Sequence, residues 1–156
     1  MTQYNGPCPC FKAKNMRSFR VNDLEWVWSG DLVLNDGGDV KDTSRNPLLS
    51  FIQEARTRVR SDLYDWAIHP HIGAGLSDFI GEPNTKQTAE SGKARIIAAL
   101  IKDDFCNQDA IDVRYVPVDR HQILYRVKIA LPDVAESDIV TLNLLLTTDE
   151  FQVTFL

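Results

Sequence analysis

The sequence predicts an α+β fold: two main helices packed on a small mixed or antiparallel sheet, with an extended N-terminal arm. Three patterns carry that expectation. Residues 44–63 open with capping residues and repeat apolar positions at helical spacing, residues 85–102 do so again, and from Ile111 apolar and polar residues alternate with the period of strands. A chain of 156 residues is long enough to bury about two-thirds of its unfolded surface. The organisation expected is an arm over 1–18 and a single α+β domain over 19–156.

Residues 1–18 contain Pro7 and Pro9 and no periodicity, hence the arm. From Phe19, Leu24, Trp26 and Trp28 alternate with Glu25 and Val27, a strand whose tryptophans belong in the core. Asn35-Asp36-Gly37-Gly38 separates 31–34 from 40–43 and tolerates positive φ, so it closes a hairpin. Ser44 or Asn46 then caps a helix, with Pro47 in its first turn where a missing N–H costs nothing. Leu48, Ile52, Ala55, Val59 and Leu63 make its apolar stripe, and Glu54, Arg56, Arg58 and Arg60 lie off it. Next comes an ordered connection, W-x3-P-x2-G-x2-L, in which Trp66 anchors, Pro70 fixes φ, Gly73 permits a turn and Leu76 begins a short helix ending at Gly81. Trp66 and Leu76 are expected to be buried against the first helix.

The second helix, 85–102, is apolar along Ala89, Ile96 and Leu100. Its Gly92 costs about 1 kcal/mol against alanine and is read as permitting close approach to the first helix. After an exit loop over 103–109, Ile111, Val113 and Tyr115 share one face of a strand. Ile123, Tyr125, Val127, Ile129 and Leu131 share one face of the next, with Asp119-Arg120 as the turn. Pro117 cannot donate to a ladder and belongs at a strand end or an unpaired edge. Residues 139–147 and 151–155 are β-prone, with Leu142, Leu144 and Leu146 opposite Asn143 and Leu145, so neither face of that strand is readily left wet.

Composition narrows the function classes. A net charge of −5 hides a basic arm, with Lys12, Lys14, Arg17 and Arg20 and no acid in residues 1–20, ahead of an acidic body. An acidic body argues against a nucleic-acid partner, and no apolar run approaches the ~20 residues of a membrane span. The N-terminus lacks the apolar core of a secretory signal, so a cytoplasmic site of synthesis is expected. Cys8, Cys10 and Cys106 form no C-x2-C pair, and His69-Pro70-His71 has no third ligand at supporting spacing. No metal or cofactor is therefore expected. A glycosidase would need two carboxylates ~5–10 Å apart, one in an apolar pocket. Of the central candidates Glu54, Asp62 and Asp65, Glu54 sits four residues before Arg58, as an i,i+4 ion pair does. The chain is read as non-enzymatic.

The stretch DLVLNDGGDVKDT, the capped helix after it and the W-x3-P-x2-G-x2-L connection together resemble the small baseplate wedge proteins of contractile phage tails. That family includes the lysozyme-like-named wedge proteins and the TssE-type sheath initiators of type VI secretion systems. The resemblance spans residues 24–131 and rests on order and spacing. It implies a structural virion protein, assembled in the host cytoplasm and present in several symmetric copies, that links the wedge core to the first ring of tail sheath. Its partners would be other wedge proteins and the sheath, with the tail hub or tube as further candidates. Arg56 and Arg60, four apart on the first helix, become a basic ridge for an acidic partner helix. Leu142, Leu144 and Leu146 become part of a sheet that a sheath segment extends by β-augmentation. One departure stands out: TssE-type relatives carry a Glu-Pro-Arg signature before the first hairpin strand, where this chain has Asn107-Gln108-Asp109-Ala110, leaving Gln108 and Asp109 as the groups in that place. A tail-associated peptidoglycan-degrading enzyme and a free-standing cytosolic binding domain are the alternatives.

Overall fold

A computed structural model of the chain describes residues 24–27, 31–43, 46–120, 122–130, 140–147 and 151–155. The fold is α+β, with two helices and a four-stranded antiparallel sheet. The arm, Trp28, Ser44, His121, Leu131 and Ile139 lie outside the described residues. Internal contacts gather the chain into two compact units, 1–54 and 55–156, with the division inside the first helix.

In the first unit, three short segments are joined by single bridges, Leu24↔Asp42, Trp26↔Leu32 and Leu34↔Val40. The Glu25 amide donates to the Lys41 carbonyl, the Lys41 amide to Val33 and the Val33 amide to Glu25, each at 2.8–2.9 Å. The hydrogen bonds therefore close a ring of three instead of extending a ladder. Among the described residues of the expected tryptophan strand, 24–27, neighbouring backbone groups face two different partners and no long ladder forms; Leu24 is exposed and Trp26 is half-buried. The turn is formed as its composition requires, with the Asn35 side-chain oxygen accepting from the amides of Gly37 and Asp39. Gln53 ties the ring to the helix, donating to the Leu24 carbonyl at 3.0 Å and accepting from the Trp26 amide at 3.2 Å.

Helix α1, Pro47–Arg60, starts at Asn46, whose side-chain oxygen accepts from the Leu49 amide at 3.1 Å. Its buried apolar residues are Phe51, Ala55 and Val59, one position out of phase with the expected stripe at its start. Leu48 is exposed, and Leu63 lies beyond the helix end and is also exposed. The polar side is not solvated either, since Gln53, Arg56 and Arg58 are buried.

In the second unit, helix α2, Lys86–Ile101, is capped by Thr85, whose hydroxyl accepts from the Thr88 amide. Four strands follow, β1 Ile111–Asp119, β2 Gln122–Ile129, β3 Val140–Thr147 and β4 Phe151–Phe155, in the order β1-β2-β3-β4. The expected hairpin is present in register, with Val113 opposite Val127 and Tyr115 opposite Tyr125. Pro117 lies on the edge strand β1, beside a register shift before Asp119, as a residue without an N–H must. Asn84 secures the turn of this hairpin through side-chain bonds to the carbonyls of Asp119 and Gln122.

Helix α2 lies against β1 and β2, and Gly92 is what lets it approach. A Cβ there would stand 2.9 Å from the ring carbon that bears the Tyr125 hydroxyl, so the close neighbour is the sheet and not the first helix. Tyr115 adds a hydrogen bond to Glu90 of α2 at 2.9 Å. The β2–β3 register sets Leu142, Leu144 and Leu146 opposite Val127, Tyr125 and Ile123, all three of them buried. The alternate row of β2 and β3 carries Arg126, Lys128, Thr141 and Asn143. That row also pairs Leu124 with Leu145, and its Asn143 is buried, so the second face of β3 is not simply a wet one.

Candidate interaction surface

Three features of the second unit bear on function: the arginines of α1, the loop over 61–75 and the edges of the sheet. Arg58 is fully buried, its guanidinium 4.8 Å from the centre of the Phe105 ring. One of its nitrogens donates to the carbonyls of Ala99 and Lys102 at 3.4 and 3.2 Å, at the end of α2 where carbonyls lack helical partners. Its other terminal nitrogen lies 3.6 Å from Asp103, whose carboxylate also meets His71 at 3.1 Å. Asp103 holds this position at φ 57°, in the left-handed region common just past a helix end. Arg58 is a tertiary clasp on α2 rather than part of a solvated face.

The basic ridge is corrected in the same way. Arg56 is buried, and burial first and the positive charge of Arg60 second lower its pKa below the usual arginine value. Only Arg60 of the pair faces solvent. Gln108 and Asp109 are exposed in a single turn, Gln108–Ala110, leading into β1.

The loop reverses its expected polarity. Its ends meet where the Ala74 amide donates to the Ser61 carbonyl at 3.0 Å, and it is braced inside by Tyr64 N–H to the Pro70 carbonyl at 2.9 Å and Ile72 N–H to His69 at 3.0 Å. Gly73, at φ 140°, packs so closely that a Cβ would stand 2.6 Å from the Asp62 carbonyl oxygen. Gly73 and Leu76 are structural as expected, Leu76 being buried. Trp66 is not: it is 46% exposed, its indole N–H donating to the Ser61 hydroxyl at 2.9 Å. Tyr64 is 79% exposed and Ile68 85%. A loop closed by its own backbone groups has no need of a tryptophan anchor; it buries Ile72 and turns Leu63, Tyr64, Trp66 and Ile68 outward. Asp62 and Asp65 serve the closure, the Asp62 amide donating to the Asp65 carboxylate at 2.8 Å and the Asp62 carboxylate accepting from the Ser77 hydroxyl. Arg95 fixes the following turn, donating to the Gly75 carbonyl and to Asp78 and lying over the Phe79 ring.

His69 and His71 stand edge to face with ring centres 6.0 Å apart. Among the described residues no three His, Cys, Asp or Glu side chains are grouped as metal ligands would be. No helix is long and apolar enough to cross a membrane among the described residues.

The fold and these surfaces define an α+β protein with an antiparallel sheet whose outer strands, β1 and β4, each pair on one side among the described residues, and with an outward-facing apolar loop. Comparison of the chain with family models, with curated proteins and with solved structures finds no match.

Proposed function

We propose that the protein is a non-catalytic baseplate wedge subunit of a contractile tail, joining the wedge core to the first sheath ring. The observation that supports this reading best is the open antiparallel sheet, whose outer strand β4 pairs only with β3 among the described residues. Such an edge offers a row of main-chain donors and acceptors to an added strand. The other edge suits that role less, because Pro117 removes a donor from β1 and the register shift beside it breaks the row. Under this reading a sheath segment extends the sheet at β4, with Leu142, Leu144 and Leu146 in the apolar rows behind it. Arg60, Gln108 and Asp109 are left at the surface for other wedge proteins.

Neighbouring residues of a strand send their N–H groups to opposite sides, so proline at Gln152 and at Val153 tests the edge directly. One variant should keep the native fold and lose co-sedimentation with assembled sheath, and the other should disturb β3–β4 pairing. If both bind sheath as the unaltered protein does, strand addition at β4 is wrong.

A further inference from the structure

The loop over 61–75 is built as a contact and not as a connection. We infer that it is a docking knob for a segment of another protein that carries an apolar strip flanked by lysine or arginine.

Leu63, Tyr64, Trp66 and Ile68 are all exposed, Tyr64 and Ile68 by more than three-quarters of their surface. Isolated exposed apolar residues are ordinary, but four within six positions, two of them aromatic, form a patch. The patch is also held in shape. The end-to-end and internal backbone bonds and the Gly73 contact fix the loop, and Tyr64 keeps φ at +74°, where a bulky residue is strained. A fixed loop has little ordering entropy left to lose when a partner arrives.

Charge and size select the occupant. Asp62 and Asp65 take hydrogen bonds only from neutral groups, a backbone amide and a serine hydroxyl, and no cation lies within ion-pair distance of either among the described residues. Their charge is left for a partner's lysine or arginine beside the apolar contact, and it opposes an anionic lipid surface. Four such side chains offer on the order of 500 Å², below the roughly 800 Å² per partner of a stable two-body interface. That area fits one face of a helix or strand and falls short of what would hold two copies together unaided.

The test uses the isolated protein and two synthetic helices about 18 residues long, identical along a leucine face and flanked either by lysines or by glutamates. The lysine-flanked helix should bind at least ~10-fold more tightly than its twin. Its binding should fall at least ~10-fold in a Tyr64→Asn/Ile68→Ser variant with an unchanged thermal midpoint; asparagine suits the left-handed backbone at 64. Asp65→Asn should weaken binding by ~2–3-fold and flatten its salt dependence. Equal binding of the two helices, or binding that the double variant leaves intact, overturns the inference. Self-association of the protein lost in the double variant would assign the knob to a second copy. Adsorption to phosphatidylcholine–phosphatidylserine vesicles lost in that variant would assign it to a membrane, and either result also overturns it. The outcome is independent of sheath attachment, so the wedge reading stands or falls separately.

Discussion

Two glycines permit close approach in this protein, and they build opposite kinds of structure. Gly92 lets a helix settle on the sheet, so that the ring of Tyr125 is covered, its hydroxyl included. Gly73 lets backbone settle on backbone, so that the amides and carbonyls of the loop are satisfied inside and the rings of Tyr64 and Trp66 are turned out. Burial of side chains is one way to order a segment. Closing its own hydrogen bonds is another, and it leaves apolar groups available for contact.

The comparison can be broken first at Gly73. Alanine there meets the Asp62 carbonyl and cannot readily adopt φ 140°, so Gly73→Ala should cost about 3 kcal/mol or more, read from denaturant midpoints. A loss below ~1 kcal/mol would mean that the loop relaxes freely.

On the sheet side, pH is the sharper instrument. Burial, then the charges of Tyr115 and Glu90, push the Tyr125 hydroxyl up to about 12 from its ordinary value of 10.0. A phenol with a raised folded pKa favours the folded state below its unfolded value, and that advantage drains away as pH rises from about 10 to about 12. The change is roughly 2–3 kcal/mol. Tyr125→Phe should remove this part of the alkaline loss, and the latest step in phenolate absorbance should vanish with it, leaving Tyr115, which the Glu90 hydrogen bond also raises.

Gly92→Ala should cost about 2 kcal/mol, the clash with the Tyr125 ring exceeding the gain in helix propensity. Adding Tyr125→Phe should recover part of it, because the buried hydroxyl has no hydrogen-bond partner among the described residues and is the atom nearest the new methyl. Simple additivity of the two changes would show that the contact is softer than the structure indicates.

The smallest effect is expected at Trp66. Its alanine variant should lose less than ~1 kcal/mol, since about half of the side chain faces water and its one hydrogen bond goes to a partly exposed serine. A loss of ~3–5 kcal/mol would restore the core anchor that the sequence suggests.

What could be read in advance follows the same division. The β1–β2 hairpin and α2 were legible because alternation and helical spacing report burial directly, and Asn35 and Asn46 announce their turn and cap by local chemistry. Arg58 was not legible. Its partners, the carbonyls of Ala99 and Lys102 and the carboxylate of Asp103, are more than forty residues away, and nothing near it marks it as the clasp of another helix. The stripe on α1 was misphased because Phe51 with Ala55 and Val59 is as good a helical row as Leu48 with Ile52, and only tertiary packing chooses between them. The size of Trp66 points to burial, but the loop satisfies its own backbone and leaves the ring at the surface. The interaction candidates differ for a related reason: Arg60, Gln108 and Asp109 are at the surface, Arg56 is buried, and Leu142, Leu144 and Leu146 stand in register with Val127, Tyr125 and Ile123.

The three-bond ring of Glu25, Val33 and Lys41 has a consequence for how that part of the chain comes apart. A ladder can be unzipped from one end, so its amides exchange with solvent in a graded series. A ring has no end. Breaking any one bond frees a segment from one neighbour while the other still holds it, and full release requires two breaks within the same opening. Each amide is freed by the break of its own bond, so those of 25, 33 and 41 should show similar protection with no gradient from one end, and a cut in either intervening turn should leave the other bonds of the ring to hold the segments.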